Sequence, residues 1–234
     1  MSRNRISVVI PTMNEEKYLH PCLESLKKQT VQADEIVAID ASKDSTPQLC
    51  ESYGWKVVKQ QGKGVSGARK EGFLATSGEI IACTDADTEV AKNWIQETQK
   101  AFEDPKVVCI FGPVYLLDGP IWLRLLANSG YTLFLWWGIL IRKPNVAGMN
   151  FAVRKSSYDQ IGGFREELTT AEDVDLGLRL MSLGKVKYVH GLYVYTSARR
   201  IVNYGIAKFI WHHIRNYFRI ISTGTSSDNF EPIR

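Results

Sequence analysis

Five short apolar runs constrain this chain more than any other feature: ISVVI (6–10), EIVAI (35–39), KVV (56–58), EIIAC (79–83) and VVCIF (107–111). Each is too short and too continuously apolar for a surface helix, which is the pattern of strands buried on both faces. Segments of helical periodicity lie between them. EKYLHPCLESLKKQT (16–30) spaces its apolar residues as a helix does, provided Pro21 falls in the first turn, where its missing N–H breaks no helical bond. Thr46, Pro47 and Gly54 read as N-cap, first helical position and terminator of a second helix. GVSGARKEGFLATSG (64–78) makes a third, and AKNWIQETQKAFED (91–104) a fourth that stops before Pro105. Strands alternating with helices predict an α/β fold on a mostly parallel sheet flanked by helices on both faces.

A chain of 234 residues can bury a full core. Its four cysteines, Cys22, Cys50, Cys83 and Cys109, are widely spaced without a C-x-x-C pair, which reads as reduced core thiols of a cytosolic protein. No apolar leader precedes the first strand, so the expected location is cytoplasmic. The net charge of +4 is small and dispersed, which argues against nucleic acid as a partner.

Beyond residue 112 the composition changes. PIWLRLLANSGYTLFLWWGILIRKP (120–144) is rich in aromatic residues and ends on Arg142 and Lys143, but its uninterrupted part, 131–141, is short of the roughly 20 residues that span a bilayer. A core or interfacial helix is expected, since Arg124 would have to snorkel from a spanning one. In 201–221, helical projection puts Lys208, His212, Arg215 and Arg219 on one stripe, with Ile206, Ile210, Ile214, Tyr217, Phe218 and Ile221 on the far side. Such a helix either lies in an anionic membrane interface or packs on the domain with a solvated cationic edge.

Ligands of open parallel sheets bind beyond the carboxyl ends of the strands. Three predicted strands end there in polar groups: the PTMNEE turn, Asp40, and the pair Asp85 and Asp87. Carboxylates one residue apart repel unless a cation or a proton lies between them, and a hard divalent ion suits oxygen ligands. The plainer reading is that both cap a turn and the next helix. DADTEV also resembles the nucleophile loop of haloacid-dehalogenase-like phosphatases, but Glu89 stands where that loop has Thr, and the segment follows the fourth strand rather than the first.

Four blocks in order resemble the family 2 glycosyltransferases with the GT-A fold, from about residue 6 to residue 200: SVVIPTMNEE, EIVAIDASKDST, GKGVSGARKEGFLATSGEIIACTDAD and GGFREELTTAEDVDLGLRLMSLG. The chain departs from the family at Ala41, where a second aspartate is usual, and at Lys70, where Asn is common. The resemblance implies a single Rossmann-like GT-A domain over 1–200, with a nucleotide-sugar-binding half (1–112) and an acceptor half (113–200), followed by a C-terminal amphipathic helix and tail (201–234).

It further implies a nucleotide-diphosphate sugar held by Pro11, Thr12, Asn14 and Glu15 with Asp40 and Arg69, assisted by Lys63. Arg69 reads otherwise as a helix-surface residue and Lys63 as a solvated one. Asp85 would face the ribose or reach the metal through water, and Asp87 would bind Mg2+ or Mn2+ directly. His190 is either a late metal ligand or structural. Glu172 and Asp173 open a helix that Thr169 or Thr170 would cap and Gly184 would end. The macrodipole alone favours acids there and lowers their pKa, while the resemblance makes Asp173 the general base of an inverting displacement and Glu172 an orienting group. Arg179 would pair with an acidic neighbour, and Gly148, Met149 and Asn150 would line the acceptor side. Arg199 and Arg200 would meet a phosphate or be solvated. The implied acceptor is a glycan or a lipid-linked hydroxyl at the inner face of the cell membrane, with 201–221 in peripheral contact. Two other classes remain: a nucleotide-sugar or membrane-binding module with a degenerate site, which Ala41 and Lys70 favour, and a sugar-phosphate nucleotidyltransferase, whose glycine- and arginine-rich opening loop PTMNEE lacks.

Overall fold

The five apolar runs become strands in the computed structural model, which describes residues 3–165, 167–168 and 170–226. The strands are β1 (Ile6–Thr12), β2 (Glu35–Asp40), β3 (Lys56–Lys59), β4 (Ile80–Thr84), β5 (Thr88–Val90), β6 (Val107–Phe111), β7 (Val114–Leu116), β8 (Asn150–Arg154), β9 (Lys185–Tyr188) and β10 (Val194–Thr196). The helices are α1 (His20–Lys27), α2 (Thr46–Ser52), α3 (Gly64–Ala75), α4 (Trp94–Ala101), α5 (Ile121–Leu140), α6 (Lys155–Gln160), α7 (Glu172–Leu180), α8 (Arg199–Tyr204) and α9 (Ile206–Thr223).

Seven strands form the central sheet in the order β3-β2-β1-β4-β8-β6-β9. β1 lies parallel to β2 and β4, and β3 extends the parallel set, while β8 runs antiparallel between β4 and β6. The reversal of β8 places its first residue, Asn150, opposite Thr84, the last residue of β4. The turn before β8 and the turn after β4 therefore share the edge where β1 and β2 also end. Residues alternate between the two faces as a pleat requires: Val8 and Ile10 pack with Leu23, Trp94 and Phe102, whereas Val9 packs with Phe73, Phe111 and Leu176. All four cysteines are buried and free. A second sheet, β5-β10-β7, pairs Thr88 with Thr196 and so brings the chain after residue 196 back to the segment after β4.

Three helix ends differ from expectation. Thr46 is the first residue of α2 rather than its cap, because Asp44 Oδ1 accepts from both the Thr46 N–H (3.0 Å) and its hydroxyl (2.5 Å). α7 starts after Ala171, a left-handed residue (φ 56°), with no side-chain cap; Thr170 accepts a hydrogen bond from Asn216 instead, and Thr169 lies outside the described residues. α7 also ends at Leu180, well before Gly184, whose lack of a side chain serves close packing: a Cβ there would sit 2.5 Å from the Lys106 carbonyl oxygen. Pro21 does fall in the first turn of α1, and Gly54 follows α2 with φ 77°.

The residue 200 boundary falls inside α8. α9 packs Tyr217 and Ile220 against Leu168 and Val174, so it buttresses α7 directly. The projected apolar side of 201–221 is only partly correct, because Ile210 and Phe218 are exposed beside Lys208, Arg215 and Arg219, while Asn216 turns inward. No helix among the described residues is long and apolar enough to cross a membrane.

Candidate active site

The ends of β1 and β2 are laced together. The Thr12 and Ser42 hydroxyls donate to Asp40 Oδ1 at 2.8 and 2.6 Å, and the Ser42 N–H donates to Oδ2 at 3.1 Å. Asn14 takes a left-handed conformation (φ 56°), which Asn tolerates, and this points its N–H at Ser42 Oγ (2.8 Å). The Glu15 N–H donates to Thr46 Oγ1 at 2.9 Å, which buries the Glu15 side chain facing the end of β4. Pro11, Thr12, Asn14, Glu15 and Asp40 thus form one rigid lip at the carboxyl edge of the sheet.

Beside the lip, Arg69 comes off α3 and is almost wholly buried. Its guanidinium pairs with Asp85 (2.9 Å) and with Glu172, joining the turn after β4 to the start of α7. Burial works against its charge, but Asp85 and Glu172 outweigh that and raise its pKa. Room for the guanidinium exists because residue 148 is glycine; a Cβ there would lie 2.5 Å from Arg69 Nη1. Arg69 is therefore not on the surface: it ties two acidic segments together.

Asp87 and Glu15 share a different arginine. Arg199 Nη2 lies 2.9 Å from Asp87 Oδ2 and 2.7 Å from Glu15 Oε1, and its guanidinium stacks 4.4 Å from the Tyr18 ring centre. Its side chain is only 10% exposed, and Nε, Nη1 and Glu15 Oε2 are buried without hydrogen-bond partners. Burial, then the charge of Asp85, pushes the Asp87 carboxyl up; burial also raises Glu15, against the pull of Arg199.

Asp173 completes the group. Its carboxylate accepts from the N–H of Gly148 and from that of Val174 (2.8 Å). Desolvation, then neighbouring Glu172, pushes its pKa up to about 7, against the opposing pull of Arg69. The lowering expected from the helix N-terminus is outweighed, because a carboxylate withdrawn from water beside a like charge loses more than a helix end returns.

Other sequence expectations fare differently. Asn150 does not face an acceptor: its amide is fully used inside the core, accepting from Trp94 Nε1 (2.9 Å) and donating to the carbonyls of Pro113 (2.9 Å) and Leu192 (2.6 Å). Met149 is half-buried against the core, and Lys63 is exposed at the N-terminal end of α3. His190 is exposed beyond β9 and does not join the aspartates, since among the described residues no three His, Cys, Asp or Glu side chains gather to hold a metal ion. Arg179 pairs with Asp175 at 2.7 Å as expected. Arg199, expected to meet a phosphate or be solvated, is not solvated: it pairs with Asp87 and Glu15. Only the Thr88–Thr196 strand pairing brings it there, and no local periodicity reveals that contact.

The donor set fits a divalent ion on a diphosphate. Mg2+ typically takes one or two carboxylates and fills its remaining positions with substrate phosphates and water. Asp85 and Asp87 each pair one oxygen with an arginine and keep the other as a hard donor, and burial, then the charge of Asp85, raises the Asp87 pKa, a cost that a cation would offset.

The profile of the glycosyl transferase family 2 matches residues 7–162. Glycosyltransferase GlyG of Streptococcus pneumoniae serotype 4 is 32% identical over 120 residues, 48% of this chain and 40% of GlyG. The first curated relatives are matched over only 20–40% of their own length. Among solved structures, mannosyltransferase PcManGT of Pyrobaculum calidifontis, in complex with GDP-Man and Mn2+, superposes with a TM-score of 0.74 at 20% identity, covering 97% of this chain and 66% of that one. S. aureus TarS 1-349 in complex with UDP-GlcNAc gives 0.63 at 22% identity, covering 82% of this chain and 58% of TarS 1-349. At these identities the likeness establishes a shared Rossmann-like GT-A fold.

Proposed function

Because this chain belongs to the glycosyl transferase family 2, we propose that it moves a sugar from a nucleotide-diphosphate sugar to an acceptor hydroxyl, inverting the anomeric carbon in one displacement. The observation that carries this reading is the buried ionic chain Asp85–Arg69–Glu172 with Asp173 adjoining it. That chain fixes a donor edge and a proton-accepting carboxylate in one frame.

The nucleotide rests on the lip of Pro11, Thr12, Asn14, Glu15 and Asp40. Arg199, with Nε and Nη1 unpartnered, offers the N–H groups of two nitrogens to the diphosphate. Asp173 takes the acceptor's proton; a pKa near 7 keeps much of it ionised at neutral pH while making it a stronger base than an ordinary carboxylate. The N–H groups of Gly148 and Val174 hold that carboxylate in one orientation. Glu172, locked by Arg69, orients the reactants. Asp87, with Asp85 behind it, would hold Mg2+ or Mn2+, which when bound neutralises charge on the departing diphosphate; the Mn2+ seen with PcManGT supports this assignment. The acceptor is a glycan or lipid-linked hydroxyl met at the cytoplasmic face of a membrane, with 201–221 in peripheral contact.

The deciding experiment is product analysis with a panel of nucleotide sugars and Mn2+. Release of free nucleotide diphosphate with sugar on the acceptor is expected. Pyrophosphate as product would assign nucleotidyl transfer instead, and binding without turnover would leave a binding module.

A further inference from the structure

Helix α5 is built inside out. Its inward arc buries Leu123, Leu135 and Gly138, but Leu125, Leu126, Leu133, Trp136 and Leu140 stand exposed, Leu133 at 70% and Leu140 at 80%. These residues recur at helical spacing along one side of a 20-residue helix about 30 Å long, far more apolar surface than scattered single exposures leave. α9 extends the same face. Trp137 on α5 lies 5.7 Å, ring to ring, from Phe218 on α9, and Trp211 is exposed at 66%.

Charge distinguishes the occupant. Residues 119–158 contain no Asp or Glu, and neither do residues 197–227. The charges after α5 and along α9 are all positive and exposed, Arg142 and Lys143, then Lys208, Arg215 and Arg219, while Asp118 before α5 is engaged by the Ser197 hydroxyl and the Ala198 N–H. A second copy of the chain would set one cationic rim against another. An anionic lipid surface instead pairs with the rim and takes up the aromatic and leucine side chains.

We propose that the outer face of α5, with the adjoining edge of α9, docks this protein flat on an anionic bilayer. The inner side of α5 adds a consequence that rests on the sugar-transfer reading. Tyr131, on that side, packs against the core, and α9 backs the helix that carries Asp173. The docking face is thus linked through α9 to the helix that carries the proton acceptor, on the side from which a hydroxyl carried on a lipid would approach.

Flotation with phosphatidylcholine vesicles containing phosphatidylglycerol tests this. The wild-type chain is expected to float with these vesicles, less with pure phosphatidylcholine and less at raised salt. The double variant Leu133→Glu/Leu140→Glu should lose at least about tenfold in partitioning, and Arg215→Gln/Arg219→Gln several-fold together with most of the salt dependence. Thermal shift with UDP and GDP monitors folding, because neither pair touches the nucleotide lip. No flotation of the wild type overturns docking, as does equal flotation of the Glu variant. A wild type that stays at the bottom but sediments as a dimer, which the Glu variant makes monomeric, assigns the face to a second copy and also overturns it. Flotation without nucleotide binding or sugar transfer leaves docking standing and removes only the enzymatic reading.

Discussion

Replacing Asp173 with Asn separates catalysis from stability in opposite directions. The Asp173 carboxyl rises from an ordinary 3.8 to about 7 in the fold. Between those values the unfolded chain is ionised and the native chain is not, so wild-type stability falls as pH rises through this window and levels off above pH 7. A rise of about three pH units corresponds to about 4 kcal/mol, an upper figure because Glu172 and Arg69 adjust with it. Asn never ionises. One of its two polar atoms must face an N–H that the carboxylate accepted from, Gly148 or Val174, at a cost of about 1 kcal/mol that does not depend on pH. The quantity to read is therefore the stability difference between variant and wild type as a function of pH, from urea melts at pH 4, 6 and 8. It should grow by about 2–4 kcal/mol in favour of Asn from pH 4 to pH 8, while sugar transfer is abolished and donor binding retained. A flat difference would refute the elevated pKa, and normal turnover would remove Asp173 as the base.

Three further outcomes follow from the same geometry. Glu172→Gln removes the like charge beside Asp173, so the acid limb of the kcat/KM–pH profile, expected near pH 7, should move to lower pH; an unmoved limb would mean another group sets it. Gly148→Ala forces a Cβ against the buried Arg69 guanidinium and should cost about 1–3 kcal/mol in chemical denaturation while lowering turnover; full stability and activity would show that Arg69 has slack. Asp87→Asn should weaken Mn2+-dependent donor binding in calorimetry by at least about tenfold, and a wild type that binds donor equally without metal would remove the ion from the site.

Residues whose role is set by neighbours in sequence were legible before the structure. The strand runs, Pro21, Gly54 and the acidic opening of α7 all act within one element, where periodicity and capping chemistry decide. Residues whose role is set across the fold were not. Nothing local distinguishes Asn150, whose amide is consumed by Trp94, Pro113 and Leu192, from an amide free to meet a substrate. Arg69 reads as a donor-binding or a helix-surface arginine, and its pairing with Asp85 and Glu172 shows only once the reversed strand β8 places Gly148 against it. The sign of the Asp173 shift likewise escaped sequence reasoning: the macrodipole belongs to α7 and is visible there, but desolvation comes from the packing of other segments. For α5 the sequence left a core and an interfacial helix open, and only the fold shows that much of its apolar arc faces outward.

The pairing of Arg199 with Glu15 spans 184 residues, and β6 joins β4 only through β8. A chain emerging from the ribosome therefore exposes two acids awaiting their counter-charge until Arg199 has been made, and a β4 edge awaiting its neighbour until β8 has been made. A fragment ending at residue 112 would carry the whole nucleotide lip yet leave β4 as a bare hydrogen-bonding edge open to mispairing. Completion of this edge of the sheet thus depends on contacts far apart in sequence, and slow, long-range closure should make refolding from denaturant more sensitive to aggregation than the stability of the finished sheet would suggest.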